Sequence, residues 1–230
     1  MYKAQNNKIL KKQNWIKVYY FKETKPQHFF MKYEKLKQIA KGWSSYIWLA
    51  KIKGKIVVLK EVREKSNRKN LAKREGEMLA MANSAGIGPQ IIEVNYKENF
   101  VVMEFIEGQK FFDFVLGKEF EKASKEQIYH LVKELFRQCI ILDKIGLRHT
   151  QLQVGKNILI KTIKAHNAKE EEKFVLIEEK TKFVPVIIDF EKASVKMGCH
   201  KNVGQLLSML FYNPNGLIAK KVREKLDVKL

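Results

Sequence analysis

After residue 30 the hydrophobic and polar positions first follow the period of β-strands. Lys53-Gly54-Lys55 separates two runs rich in β-branched and aromatic residues, which predicts a hairpin. Apolar residues then recur at helical spacing over residues 67–84, and the glycines and proline of residues 86–89 end that helix. Four strands are predicted in this half of the chain: 46–50, 56–62, 91–96 and 100–105.

Beyond Gly108 the apolar positions change to a helical period. Residues 124–145 keep one apolar face, and Ser124 with Gln127 three residues later has the form of a capping box. Shorter elements follow: strands at 157–160 and 183–188, a charged segment 161–182 with a strand-like centre at 174–177, and a final helix 202–211 before a basic tail. The expected fold class is α+β, with a β-rich first lobe and a short, mainly helical second lobe.

The composition is that of a folded and strongly basic protein. Hydrophobic residues make up 45% of the 230 residues and charged residues 30%, which excludes a disordered chain. A formal net charge of +20 would attract polyanions such as nucleotide, RNA or a ribonucleoprotein surface, but it could equally serve solubility alone. Residues 1–30 are a basic, aromatic N-terminal extension that either packs on the first lobe or binds single-stranded nucleic acid.

The cysteines and the longest apolar runs limit location and chemistry. Cys139 lies on an apolar helical face and is predicted to be core. Cys199 and His200 supply too few ligands for a zinc site. No run of 18 apolar residues is present, and the N-terminus has no pattern of a cleaved signal, so no membrane partner and a cytoplasmic location are expected.

Five chemical features follow one another along the chain. A small-residue turn, residues 40–45, lies between two strands and could be an ordinary hairpin or a cover for phosphates. Lys60 lies on a strand, and Glu75 on the following helix could pair with it, with Glu77 as the alternative. An acidic segment, residues 103–108, then separates the two halves, and Asp189 ends the apolar run 184–188, where it could also cap a helix.

This order of residues resembles the protein-kinase-like superfamily, in particular the small, atypical group of Rio-type kinases and related archaeal predicted serine/threonine kinases. The resemblance covers about residues 33–212. It implies an N-lobe at 31–105, a truncated C-lobe at 106–230, and binding of ATP with Mg²⁺.

The resemblance also implies a role for each matching residue. Lys60 would contact the phosphates and Glu75 would hold the lysine in place, while Asp189 and Asn157 would bind Mg²⁺. Met103 would line the pocket, and the backbone of Glu104 and Ile106 would bind adenine. The phosphate loop keeps Gly42 of the G-x-G-x-x-G pattern and adds Ser44 and Ser45, but Ala40 and Ser45 replace the outer glycines.

Two positions depart from the family's pattern. In the catalytic loop His149-Thr150-Gln151-Leu152, Gln151 stands where the catalytic aspartate is expected, and Asn157 comes one residue later than in H-R-D-L-x-x-x-N. Glu191 replaces the glycine of D-F-G and could itself face the metal. Gln151 can orient a hydroxyl but cannot accept its proton, and losing a general base costs roughly 10²–10⁴-fold in rate.

Three functions remain open at this point. The first is a Mg-dependent serine/threonine kinase of low intrinsic activity, with Lys60, Gln151 and Asp189 as its catalytic residues. The second is an ATP-binding pseudokinase or regulatory module that docks RNA or a ribonucleoprotein. The third is a small-molecule phosphotransferase, because the short second lobe leaves no evident peptide groove.

Overall fold

The structure is a computed structural model that describes residues 33–66, 70–164, 181–196, 198 and 201–229. Predictions for the extension 1–30, the strand-like centre 174–177, and Cys199 with His200 fall outside these residues. Residues 33–230 belong to one compact unit. The lobe boundary near residue 105 stays a prediction.

A five-stranded antiparallel sheet forms the first part of this unit. Its spatial order is β1-β2-β3-β5-β4, which makes β3 the central strand. The predicted β2–β3 hairpin is present; it closes with a two-residue turn at Lys53 and Gly54, which both have positive φ, 46° and 81°, and Lys55 already belongs to β3. The strands are β1 Glu34–Lys41, β2 Ser45–Ile52, β3 Lys55–Val62, β4 Ile91–Asn95 and β5 Phe100–Glu104.

The first helix, α1 Leu71–Ser84, lies against this sheet. It buries Leu71, Leu79 and two alanines together with one charged residue, Glu75. Glu75 and Leu79 are four residues apart and therefore share a face of the helix. The helix thus presents a carboxylate on the side that faces the core.

The second part of the unit is mainly helical, and its longest helix is α4 Lys125–Lys144. The predicted capping box is present, because Ser124 accepts from the Gln127 backbone N–H and the Gln127 side chain accepts from the Ser124 N–H. A 3₁₀ turn at Phe190–Lys192 follows β9, and α5 continues as a π-helix at Ser208–Tyr212. The remaining elements are β6 Gln109–Lys110, α2 Phe111–Leu116, α3 Lys118–Lys122, β7 Leu147–Arg148, β8 Ile158–Ile163, β9 Lys182–Ile187, β10 Ser194–Val195, α5 Lys201–Leu207 and α6 Leu217–Leu226.

The segment after residue 211 is basic as predicted, but the sequence pattern predicts no helix there, whereas α6 occupies Leu217–Leu226. Ile218, Ala219 and Val222 of α6 are buried, and five of its other seven residues are charged. Three small or medium apolar residues are enough to dock a short helix on an existing core. Cys139 was predicted correctly as core: it is fully buried, and burial raises the pKa of its thiol to about 12.

Two small sheets position the loops between the helices. Strands β6, β8 and β9 form one antiparallel sheet, and β7 pairs with β10. In β8 and β9, Ile158 lies opposite Ile187, which places the segments before Ile158 and after Ile187 side by side. Among the described residues, no helix has the length and apolar character needed to cross a membrane.

The loop from His149 to Asn157 contains a turn at Gly155. Gly155 has φ +67°, and its N–H donates to the Leu152 carbonyl. A Cβ atom at this position would lie 3.1 Å from Ile218, 3.2 Å from Phe111 and 3.3 Å from Met209. Both the backbone conformation and the surrounding core therefore require glycine.

We expect Gly155→Ala to lower the free energy of unfolding by about 2–3 kcal/mol, of which a left-handed alanine accounts for about 1 kcal/mol and crowding for the rest. Gly54→Ala is the matched control, because Gly54 has φ +81° and nothing within 4 Å of a Cβ. Urea unfolding of both variants measures the difference. Equal losses would contradict the close packing around Gly155.

Candidate functional site

A buried lysine on the central strand is the centre of the site. Lys60 is 7% exposed. Its ammonium lies 2.8 Å from a carboxylate oxygen of Glu75 on α1. Side chains alternate along β3, so Lys60 points toward α1 whereas its neighbour Glu61 points away and pairs with Lys35. The predicted ion pair with Glu75 is therefore present, and Glu77 is exposed.

Asp189 brings a second carboxylate to the same ammonium. The Lys60 Nζ–Asp189 Oδ1 distance is 2.7 Å, and the Asp189 side chain remains 38% exposed. Asp189 has φ 64° and ψ 69°, and it precedes the 3₁₀ turn without capping it through its side chain. The left-handed backbone turns the chain sharply after β9 and directs this carboxylate at Lys60 rather than along the strand.

Glu191 is a third carboxylate at this point. One of its oxygens lies 3.5 Å from Lys60 Nζ. Carboxylate oxygens of Glu75, Asp189 and Glu191 all lie within 4.8 Å of one another. Three carboxylates thus surround one ammonium. The replacement of glycine by Glu191 after Asp-Phe indicates that this residue could face the metal, but its contacts with Lys60 and Ser44 have no sequence signal.

The pKa values follow from burial and from this surplus of carboxylates. Burial raises the pKa of Glu75 to about 7, an effect that Lys60 opposes and Asp189 reinforces. Burial alone would lower the pKa of Lys60, but Glu75 and Asp189 outweigh it and hold the pKa above its ordinary value. For Asp189 burial would raise the pKa, but the charge and hydrogen bond of Lys60, with His149 and the Glu191 N–H, together outweigh burial and lower it. Lys60 is therefore charged, and Glu75 is the carboxylate that takes up a proton near neutral pH.

The predicted phosphate loop is held from two sides. The Ser44 hydroxyl donates to Glu191, with Oγ–oxygen distances of 3.0 and 2.9 Å. On the other side the Arg63 guanidinium donates to the carbonyls of Gly42 and Trp43, each at 3.2 Å. Ser44 and Ser45 are buried, whereas Trp43 at the tip is 92% exposed. Arg63 carried no sequence signal, because a lone arginine after a strand has no motif.

The acidic segment lies where β5 leaves the sheet. Met103 is buried on β5, and Glu104 ends the strand opposite Val57. The Glu104 backbone N–H donates to the Gln90 carbonyl. Of the two backbone polar groups of Glu104, only the carbonyl is therefore left to bind a ligand. Ile106 lies in the connection that follows, and its N–H has no hydrogen-bond partner among the described residues. The connection ends at Gly108. A Cβ atom on this residue would lie 2.6 Å from the Ile160 carbonyl oxygen, so the close approach of the two backbones requires glycine.

The loop from His149 to Asn157 contacts the segment that carries Asp189. Asn157 Nδ2 donates to the Gln151 carbonyl at 3.2 Å, and the Asn157 carbonyl accepts from the Ile188 N–H at 2.9 Å. The backbone of Asn157 is therefore hydrogen-bonded to Ile188, the residue before Asp189, although Asn157 comes one residue later than in the family's pattern. Gln151 is half-buried, and its neighbour Thr150 has φ 69°.

A buried polar network from α4 and α5 holds this loop in place. Asp143 on α4 accepts from the Asn202 side chain at 2.7 Å, and Asn202 Oδ1 accepts from the His149 N–H at 2.9 Å. His149 Nε2 lies 2.8 Å from the Ile188 carbonyl, and burial lowers the pKa of its imidazole. The neutral ring therefore donates from Nε2 to Ile188. Sequence reasoning missed Asp143 and Asn202, which are isolated polar residues within helical patterns.

No family model matches the chain. It is 29% identical over 126 residues to an uncharacterized protein of Methanocaldococcus jannaschii, covering 55% of this chain and 84% of that protein. It is 27% identical over 140 residues to the KEOPS complex subunit Bud32 of Pyrococcus abyssi, covering 54% of this chain and 61% of that protein.

Among solved structures the chain is similar to the Rio2 kinase of Chaetomium thermophilum, determined as an ADP/Mg²⁺–phosphoaspartate complex, with a TM-score of 0.55 and 18% identity. The match covers 85% of this chain and 62% of the Rio2 chain. The fold is therefore that of the atypical protein-kinase-like proteins, Rio2 and Bud32 among them. The chain spans less than two thirds of either of these two proteins.

The raised pKa of Glu75 predicts how stability depends on pH. The folded protein holds this proton up to about pH 7, against an ordinary value of 4.5. The resulting stabilisation is complete below about pH 4.5 and is lost as the pH rises through 7, up to about 3 kcal/mol in all. We expect Glu75→Gln, which is neutral throughout, to lack this loss.

Urea unfolding at a series of pH values tests this prediction. Contributions from groups that do not interact with Glu75 cancel in the difference between wild type and variant, whereas those of Lys60 and Asp189 are coupled to Glu75 and are included in that difference. Glu77→Gln removes an exposed carboxylate from the same helix and is the matched control. A Glu75→Gln difference that changes with pH no more than that of Glu77→Gln would exclude proton uptake at Glu75.

Proposed function

We propose that this protein binds ATP with Mg²⁺ at Lys60, Glu75 and Asp189 and is a serine/threonine kinase of low intrinsic activity. The observation that carries the proposal is the buried Lys60 ammonium held between Glu75 and Asp189 at 2.8 and 2.7 Å. A hydrophobic core does not require a lysine there, whereas a phosphate chain requires a fixed cation.

The connection after β5 supports the proposal that adenine binds at this end of the site. The Glu104 carbonyl and the Ile106 N–H provide an acceptor and a donor two residues apart, as the edge of an adenine ring requires. Met103 is buried next to them. The Rio2 structure holds ADP and Mg²⁺ on the same fold.

The carboxylates fit a magnesium ion. Asp189 keeps 38% of its side chain exposed, and the three carboxylates outnumber the single ammonium. Mg²⁺ prefers carboxylate and amide oxygens and usually keeps several waters. Asp189 and Asn157 would hold the ion, and the ion would neutralise charge on the transferred phosphoryl group.

The chemistry would rely on positioning, because Gln151 is neutral. Its side chain can orient an acceptor hydroxyl but cannot take its proton. Phosphoryl transfer draws most of its acceleration from alignment and from charge neutralisation, so the chain retains those contributions without a base. We therefore place turnover well below that of an enzyme with aspartate at this position.

Gln151 also favours a second candidate, an ATP-binding regulatory module of a larger assembly. The Pyrococcus relative is named as a subunit of the KEOPS complex, which is a precedent for this fold in an assembly. RNA or a ribonucleoprotein would be the partner of such a module, given the net charge of +20. A small-molecule phosphotransferase is the third candidate. A cytoplasmic location is part of each.

Asp189→Asn should abolish the magnesium dependence of ATP binding and weaken binding in Mg²⁺ by at least about tenfold, the loss of one charged ligand. Asparagine tolerates a left-handed backbone, so the turn at φ 64° is preserved. Asp227→Asn is the matched control, because Asp227 is exposed and also has positive φ. Calorimetric titration with and without EDTA measures the effect; absence of nucleotide binding by wild type would reject the site.

Gln151→Asp should raise turnover of radiolabelled ATP by roughly tenfold or more, because it restores a proton acceptor. Gln153→Asp is the matched control, since Gln153 is exposed in the same loop. Binding of ATP should change little in either variant. If wild type and Gln151→Asp bind ATP and both remain inactive, the regulatory module becomes the better assignment.

A further inference from the structure

One hydrogen bond connects the phosphate loop directly to the turn after Asp189. The Ser44 hydroxyl donates to Glu191, and the two groups belong to segments 147 residues apart in sequence. Ser44 is 8% exposed and Glu191 7%, so the contact is shielded from water. A charge-assisted hydrogen bond in such surroundings is stronger than one between neutral groups on a surface.

The same Glu191 carboxylate also reaches Lys60. It lies 2.9 Å from the Ser44 hydroxyl through Oε2, and this oxygen is 3.5 Å from the Lys60 ammonium. A single carboxylate therefore fills the space between the loop and the lysine. In the proposed function, those are the two groups between which a phosphate chain lies.

We propose that Glu191 is a positioning residue that occupies the phosphate position in the nucleotide-free protein and holds the loop closed through Ser44. A phosphate group is an anion of similar size that uses the same donors, so it must displace the carboxylate. The phosphate part of this inference rests on the proposed function. The closed loop itself does not.

Displacement requires movement of the Glu191 side chain and the loop, but not of the turn. Phe190 is fully buried next to His149, with ring centroids 5.0 Å apart, and anchors the backbone beside Glu191. Ser44 belongs to the short connection between β1 and β2, whose tip is exposed at Trp43. Rotation of Glu191 and lifting of the loop would together clear the position beside Lys60.

Glu191→Gln tests the competition, because it removes the negative charge and keeps the size of the side chain. The wild type and the variant are titrated with Mg-ATP, with Mg-tripolyphosphate and with adenosine. Replacing a charge-assisted hydrogen bond by a weaker neutral one corresponds to roughly threefold to tenfold, so both phosphate ligands should bind the variant tighter by that factor. Adenosine should bind both proteins equally. Glu61→Gln is the matched control, a carboxylate of β3 that pairs with Lys35 outside the site.

Ser44→Ala tests the closed loop without any ligand. Hydrogen–deuterium exchange is followed at the Gly42 and Arg63 amides, which donate to the Ser45 and Ser44 carbonyls at 2.8 Å each. Loss of the hydroxyl should accelerate exchange there by roughly threefold to tenfold. Ser84→Ala, whose hydroxyl donates to Met81 on α1, should leave these amides unchanged.

The possible results separate this inference from the proposed function. Unchanged or weaker binding of both phosphate ligands by Glu191→Gln, or unchanged exchange in Ser44→Ala, overturns the inference while the proposed function stands. If adenosine and Mg-ATP bind to no variant, the proposed function fails. Tighter binding of Mg-tripolyphosphate to Glu191→Gln would still support the inference in that case.

Discussion

The rest of the site depends on one buried ammonium. Lys60 lies inside the unit on the central strand, and an unpaired charge there would cost several kcal/mol. Glu75 and Asp189 remove this cost, but they come from α1 and from the turn after β9, which are far apart in sequence. The sheet, the first helix and the second part of the unit must therefore be in register before Lys60 can be buried. This requirement couples the correct fold to the presence of the site.

A second network holds the opposite side of the site in place. Asp143 and Asn202 connect α4 and α5, and Asn202 bonds the backbone of His149. His149 in turn reaches the Ile188 carbonyl, one residue from Asp189. These groups are buried and hydrogen-bonded in series, so each restricts the next. Asp189 is thus fixed from the helical side by a series of hydrogen bonds and from the sheet side by the charge of Lys60.

The parts of this structure that follow from periodicity could be predicted from the sequence, and the parts that follow from single long-range contacts could not. The β2–β3 hairpin and the capped α4 have local patterns. The Lys60–Glu75 pair follows from those patterns together with family spacing. The Ser44–Glu191 bond joins residues that no local pattern relates. Helix α6 could not be predicted because only three of its ten residues are buried. Most of the others are charged, as is typical of a tail.

The charges of the site indicate how Glu191, the residue in place of glycine, would influence the binding of a charged ligand. Three carboxylates against one ammonium leave a surplus of two negative charges, which protonation of Glu75 near neutral pH reduces. A bound cation would favour the ionised carboxylates and release that proton, whereas a phosphate chain would add to the surplus. Under the proposed function, an arriving Mg-nucleotide would itself be anionic and would be opposed until Glu191 withdraws. If the proposed function holds, Glu191 would therefore set the electrostatic cost of filling the site, independently of whether Gln151 permits catalysis afterwards.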